Sequence, residues 1–287
     1  MEDSSGITIA VLGALLLLGM LGDLAARVLP VPRVTLLVLF GVAIGGSGFD
    51  LLPTRTAEWY PLIADVALLM VGFLLGGKLS SATLKEVGKP VLAISAFEVL
   101  GTALTVALGL TLIGVDPVVA LLLAGIAPAS APAAIQNVVQ ELGARGRTTD
   151  TLLGVVAIDD AWGLIVFSVL LAGAQAFGAG GDGSPLDALA LGAWDLGGAV
   201  VIGVVIGVPA AYLTGRLRPG EPTQAEALGV VFLAGGLAIW WEVSYLTTAM
   251  LVGALIVNLA RHHDRPFSEI EHFEWPFMVL FFVLAGA

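Results

Sequence analysis

Two acids stand side by side at Asp159-Asp160, inside an otherwise apolar run from Thr151 to Ala174. Read as a helix rising ~1.5 Å per residue, the run sets Asp159 roughly 13–15 Å from a start near Asp150. That is about half of a ~30 Å hydrocarbon core. A charge at that depth costs at least ~2.5 kcal/mol, so an acid there is by default a functional group. Adjacent helical residues point about 100° apart, so the two acids cannot face one partner. One can look into a neighbouring polar gap and offer oxygen to a hard monovalent cation. The other can turn to a basic residue on a different helix. A carboxyl that holds either a proton or a cation makes exchange possible with no cofactor and no catalytic residue.

The segment before this helix supplies such a gap. It reads Gly125-Ile126-Ala127-Pro128-Ala129-Ser130-Ala131-Pro132-Ala133-Ala134. Pro128 and Pro132 remove two helical hydrogen bonds within one turn, and Ala129 and Ala131 leave the centre unobstructed. The expectation is a discontinuous helix whose unwound middle lies at membrane depth, tolerated only where it is buried in protein or lines a polar cavity. The half ending at Ala127 presents free carbonyls that favour a cation. The half starting at Pro132 presents free amides and a positive dipole end. Ser130 is placed either to cap the second half or to donate an oxygen ligand. The site expected comprises Asp159, Asp160 and Ser130, with one acid of the pair facing the break.

The rest of the sequence must position these groups. Of its 287 residues, 58% are hydrophobic and only 12% charged, about half the charge of a soluble domain. The class is an all-α polytopic membrane protein. Cysteine is absent, so disulfides are excluded. The net charge of −11 speaks against a basic, phosphate-binding surface, and no nucleic-acid partner is expected. The start, Met1-Glu2-Asp3-Ser4-Ser5, lacks the basic residues of a secretory leader, so the first apolar stretch reads as a retained helix.

Ten hydrophobic segments follow, at 7–26, 34–49, 60–77, 90–113, 117–140, 151–174, 189–213, 224–241, 244–260 and 275–287. Turn-rich breaks separate them, among them the glycine-rich loop 178–185. Numbering the breaks from an external N-terminus puts Arg27, Arg33, Lys78, Lys85, Lys89, Arg145, Arg147, Arg216, Arg218, Arg261 and Arg265 in odd-numbered ones. Only Arg55 falls on the other side, while Asp50, Glu58, Asp116, Asp182, Asp187 and Glu242 lie in the even breaks. By the positive-inside rule the odd breaks are cytoplasmic and the N-terminus is outside, in an inner cell membrane.

A weak repeat appears between Phe73-Leu74-Leu75-Gly76-Gly77 and Phe282-Val283-Leu284-Ala285-Gly286. The segments that carry it are seven apart, so they run in opposite directions, as in inverted-repeat transporters. The first copy is followed by the broken helix and the acidic helix. The second would need about three more helices, so the second repeat is expected to be incomplete and the protein truncated at its C-terminal end.

These motifs together resemble the monovalent cation:proton antiporter superfamily, in particular the bacterial sodium or potassium/proton antiporters. The resemblance rests on Gly76-Gly77, Gly88-Lys89-Pro90, Ala129-Ser130-Ala131-Pro132-Ala133-Ala134, Glu141-Leu142-Gly143-Ala144-Arg145-Gly146, Val156-Ala157-Ile158-Asp159-Asp160 and Phe281-Phe282-Val283-Leu284-Ala285-Gly286. It implies a core domain that moves against a dimerisation domain, and a homodimer. It implies that Asp160 is the principal ion- and proton-binding carboxylate, with Asp159 paired to a lysine on a later helix, beyond Ala287. The Asp-Asp pair resembles the electrogenic members. In many relatives a hydroxyl or acid directly precedes the proline. Here Ala131 does, with Ser130 one further back. The implied division is 1–59 on the scaffold side and 60–174 as the first core repeat, with the broken helix 117–140 and acidic helix 151–174. Residues 175–260 are then linking helices, and 275–287 open the second repeat.

Other readings compete. An intramembrane aspartyl protease needs two acids opposed across separate helices, which adjacent acids on one helix are not. A sodium-coupled solute symporter would need a roomier cavity. A non-transporting sensor or subunit derived from an antiporter would fit a protein without its last helices. Asp65 and Glu98 lie inside segments and read as satisfied interior acids. Asp23 and Asp195 read as interface groups, His262-His263-Asp264 as a solvated loop, and Trp240, Trp241 and Trp275 as interfacial anchors.

Overall fold

In a computed structural model the described residues are 3–26, 31–53, 56–176, 185–214, 223–260 and 264–287. Eleven helices are described and no strand occurs among these residues: α1 Asp3–Ala26, α2 Arg33–Ile44, α3 Thr56–Lys78, α4 Ser81–Leu112, α5 Pro117–Ile126, α6 Pro132–Glu141, α7 Arg147–Ala176, α8 Pro185–Leu213, α9 Thr223–Trp240, α10 Tyr245–Leu259 and α11 Asp264–Gly286. Each apolar segment is a helix, and the fifth is split into α5 and α6. Three stretches among the described residues are long and apolar enough to cross a bilayer, Glu58–Lys78, Gly88–Leu112 and Leu189–Leu213. The glycine-rich loop 178–185, apart from Pro185 at the start of α8, and His262-His263 lie outside the described residues.

Three boundaries differ from the hydropathy reading by five residues or more. The second segment stops being helical at Ile44, not 49. The amide of Gly45 bonds the Gly41 carbonyl, and Gly45-Gly46-Ser47-Gly48 turns the backbone around so that Phe49 and Leu51 donate to Ala43 and Ile44. The helix expected to open at Pro90 begins at Ser81 and runs through that proline. The last helix begins at Asp264 rather than 275, with Pro266 in its first turn, where a missing N–H costs nothing. In both cases the added turns are polar, so hydropathy marks the apolar part and not the helix.

Internal packing divides the protein into two compact units. The first comprises Met1–Val71, Ala133–Ala144 and Ser268–Ala287. Within it α1 packs on α2. The C-terminal end of α11 meets α2 backbone to backbone: a Cβ on Gly41 would strike the Val283 carbonyl, and one on Gly286 would strike that of Val38. Arg33 binds Glu141 through its backbone amide (3.0 Å) and its guanidinium (3.6 Å), which also lies 4.7 Å over the Trp275 ring.

The second unit comprises Gly72–Pro132 and Arg145–Phe267. Here α7 packs against α4, α5 and α8, and α10 against α8 and α9. The end of α3 crosses α10 through another glycine pair. A Cβ on Gly76 would strike the Met250 carbonyl, and one on Gly253 that of Phe73. Both copies of the weak repeat thus end where a second helix touches bare backbone, the close approach that small residues permit in membranes.

The turn from α4 into α5 is built locally. Gly114 takes φ 88. Asp116 then caps α5, accepting from the amides of Val118 (2.9 Å) and Val119 (3.4 Å), with Pro117 at the first helical position. Asp116→Ala removes this cap and should lower stability by about 1 kcal/mol. The measurement is thermal unfolding of the purified protein in detergent, where an unchanged midpoint would count against the cap.

Candidate ion-binding site

The site is assembled from the break between α5 and α6, the middle of α7 and one turn of α4. The break forms as the proline spacing dictates. The helix of α5 ends at Ile126, Ala127 still donates to Leu123, and Ala129 donates to Ile126 in a tight turn. Residues 129–131 are irregular, and Pro132 reopens a helix at its first position. Pro128 and Pro132 are buried, while Ala129 and Ala131 are exposed.

Helix α7 is drawn close to both neighbours at small residues. A Cβ at Gly154 would stand 2.9 Å from Val91 of α4, and one at Gly125 of α5 would stand 3.0 Å from the Phe167 ring of α7. Val91 packs with Val155, and Ile158 lies against them. One turn along from this contact, Asp159 points inward and is 3% exposed.

Both of its oxygens are engaged. The Ser130 hydroxyl donates to Oδ2 at 2.6 Å, and the Ser95 hydroxyl, from α4, donates to Oδ1 at 3.1 Å. Two helices and the break thus converge on one carboxylate. Such charge-assisted bonds are about twice as strong as neutral ones, and they supply what a buried carboxylate needs in place of water.

Of the expected residues, the structure brings together Asp159, Ser130 and the Pro128–Pro132 break. Asp160 is helical in α7, and its side chain lies outside the described residues. Sequence reasoning passes over Ser95, which is 0% exposed. Its signal is a register of four: Val91, Ser95, Val99 and Ala103 are all buried on α4, and Ser95 is the one hydroxyl in that stripe.

Glu98, one turn from Ser95, accepts from Thr102 at 3.1 Å. Its other oxygen is buried without a partner among the described residues. A cavity of about 510 Å³ opens beside these helices, lined by Ala96, Val99, Leu121, Trp162, Val166 and other apolar side chains. That lining offers no ligand to a hard ion. Among the described residues no group of three His, Asp or Glu side chains is placed to hold a metal ion.

The chain as a whole has counterparts among known proteins. Residues 12–287 match the transmembrane sodium/hydrogen exchanger family. The chain belongs to the sodium/hydrogen exchanger family. This exchanger is 24% identical over 281 residues to the ammonium/H(+) antiporter subunit AmhT of Alkalihalophilus pseudofirmus, across 96% of itself and 68% of that relative.

It also resembles two structures of the sodium proton antiporter MjNhaP1 from Methanocaldococcus jannaschii. The first, at pH 8, has a TM-score of 0.71 at 23% identity, covering 100% of this exchanger and 71% of MjNhaP1. The second, an electron-microscopy structure, has a TM-score of 0.75 at 22% identity, with 98% and 69% covered. At such identities the likeness speaks for the fold. The exchanger is a helical, multi-pass membrane protein, as its apolar segments predict.

Proposed function

We propose that this protein exchanges a monovalent cation, Na⁺ or K⁺, for H⁺ through a carboxylate that binds either one. The observation that carries the reading is Asp159, buried in the second unit with each oxygen held by a hydroxyl, one from α4 and one from the break. The ion- and proton-binding residues we assign are Asp160 and Asp159 with Ser130, at the break formed by Pro128, Ala129, Ala131 and Pro132. The role of Asp160 rests on the resemblance of the Asp-Asp motif. The division into a core at 60–174, scaffold stretches at 1–59 and 175–260, and a second repeat opening within α11 rests on the order of motifs.

The membrane assigned is the inner cell membrane, with the N-terminus outside on the strength of the basic residues, and the working form is a homodimer. The name of AmhT adds ammonium to the cations worth testing. Everted membrane vesicles containing the protein, energised to an inside-acid pH gradient, should lose that gradient on addition of NaCl or KCl and not of choline chloride. Vesicles that respond equally to all three salts would defeat the reading.

A further inference from the structure

We infer that Ser95 on α4 is a third member of the ion site, a hydroxyl that ligates the cation together with Asp159 and Ser130. This rests on the exchange reading above for its purpose but on its own geometry for its place. Ser95 is fully buried, lies 64 residues from Asp159 in the sequence, and spends its hydroxyl on Oδ1 while Ser130 takes Oδ2. A serine buried only for packing bonds its own helix backbone, four residues back. Thr111, exposed near the end of the same helix, bonds its own backbone in this way, donating to Ala107. Ser95 instead reaches across to another helix and to the acid.

The chemistry suits a group that must serve two occupants. A hydroxyl carries one hydrogen and two lone pairs. Facing a bare carboxylate, it donates. Facing a carboxylate that holds a cation, it turns its hydrogen to the Val91 carbonyl four residues back and offers a lone pair to the ion. Two hydroxyls and a carboxylate together present oxygen ligands of the kind hard cations take. An alanine at 95 would leave Oδ1 facing methyl groups, and a valine would fill the volume without the oxygen.

The test is cation-dependent thermal stabilisation of the purified full-length protein in detergent, which requires binding but not transport. NaCl and KCl are titrated with choline chloride holding ionic strength constant. Ser95→Ala should need about tenfold more cation for half of the stabilisation, the factor that one hydrogen bond to a charged group commands. Its midpoint without added cation should also fall, because Oδ1 loses a buried hydrogen bond, so the half-point and not the midpoint carries the test.

Ser95→Thr should restore the parent affinity and Ser95→Val should not. These two differ only in the hydroxyl, so they carry the comparison even if alanine disturbs assembly. Equal half-points for Thr and Val would overturn the role of Ser95, and so would an absence of cation-dependent stabilisation in the parent. Stabilisation that needs Ser95, in a protein that moves no protons, would leave this inference standing and defeat the exchange reading instead.

Discussion

Asparagine at either position of the acidic pair, introduced singly, should reduce cation-driven proton movement at least about 100-fold. At 159 the substitution is nearly isosteric. The amide oxygen still accepts from one serine, and the amide N–H₂ donates to the other, because a hydroxyl both gives and takes hydrogen bonds. Packing around Gly154, Val91 and Ile158 is therefore preserved, and the unfolding midpoint should hardly move. What is lost is the charge. Removing one partner of a buried charge pair costs about 3–5 kcal/mol, and each 1.4 kcal/mol is tenfold. The amide also binds no proton, so neither half of the exchange can run. For Asp160 the same loss is expected from its place in the motif. The measurement is the rate of gradient collapse per milligram of exchanger in everted vesicles. Should Asp159→Asn keep more than a tenth of the parent rate while Asp160→Asn does not, Asp159 holds the site together and Asp160 carries the ion. Both variants remaining active would remove the carboxylate from the mechanism.

The second large effect lies in packing. Gly76→Val should lower the unfolding midpoint by about 6–12 °C. The new Cβ would strike the carbonyl of Met250 and crowd the amide of Ala254, both backbone atoms of α10. A side chain in the way can rotate, whereas a helix backbone must move as a whole, and the reciprocal contact of Gly253 with Phe73 holds it in place. Overpacking of this kind costs about 3 kcal/mol, and each kcal/mol shifts the midpoint by about 2–4 °C in a protein of this size. Gly101→Ala in α4 is the matched control. Nothing stands within 4 Å of its Cβ, and alanine gains up to about 1 kcal/mol of helix propensity, so its midpoint should hold or rise. If the two variants melted together, the α3–α10 crossing would be looser than the backbone contact implies.

The helical plan was legible because its signals are local. Apolar runs separated by glycine, proline and charge mark every segment. Pro128 and Pro132 mark the break in the fifth within a residue or two. Helix outside the apolar part is not legible in this way. Ser81 to Lys89 and Asp264 to Glu274 are polar turns of helix, and hydropathy passes over them. At the site, the meeting of an acidic helix with a broken one can be read from order and spacing. Which acid meets the break cannot, because a 100° step leaves the rotation of α7 undetermined until α4 and α5 are placed around it. Ser95 is harder still. A lone serine in an apolar helix carries no message until its register with Val91, Val99 and Ala103 is seen to be the buried one. The glycine motif shows the reverse: its recurrence is visible in the letters, its purpose only in the backbone contacts.

The grip on Asp159 ties the site to the shape of a helix. A serine that bonds the carbonyl four residues back tends to bend its helix slightly, and one that bonds elsewhere lets it straighten. Ser95 bonds elsewhere, to Asp159. A cation that claimed its lone pair, as inferred above, would send the hydrogen back to Val91, beside the point where α4 touches Gly154. Loading the ion and curving α4 would then be one event, and a local change of ligand would be felt along the length of the helix.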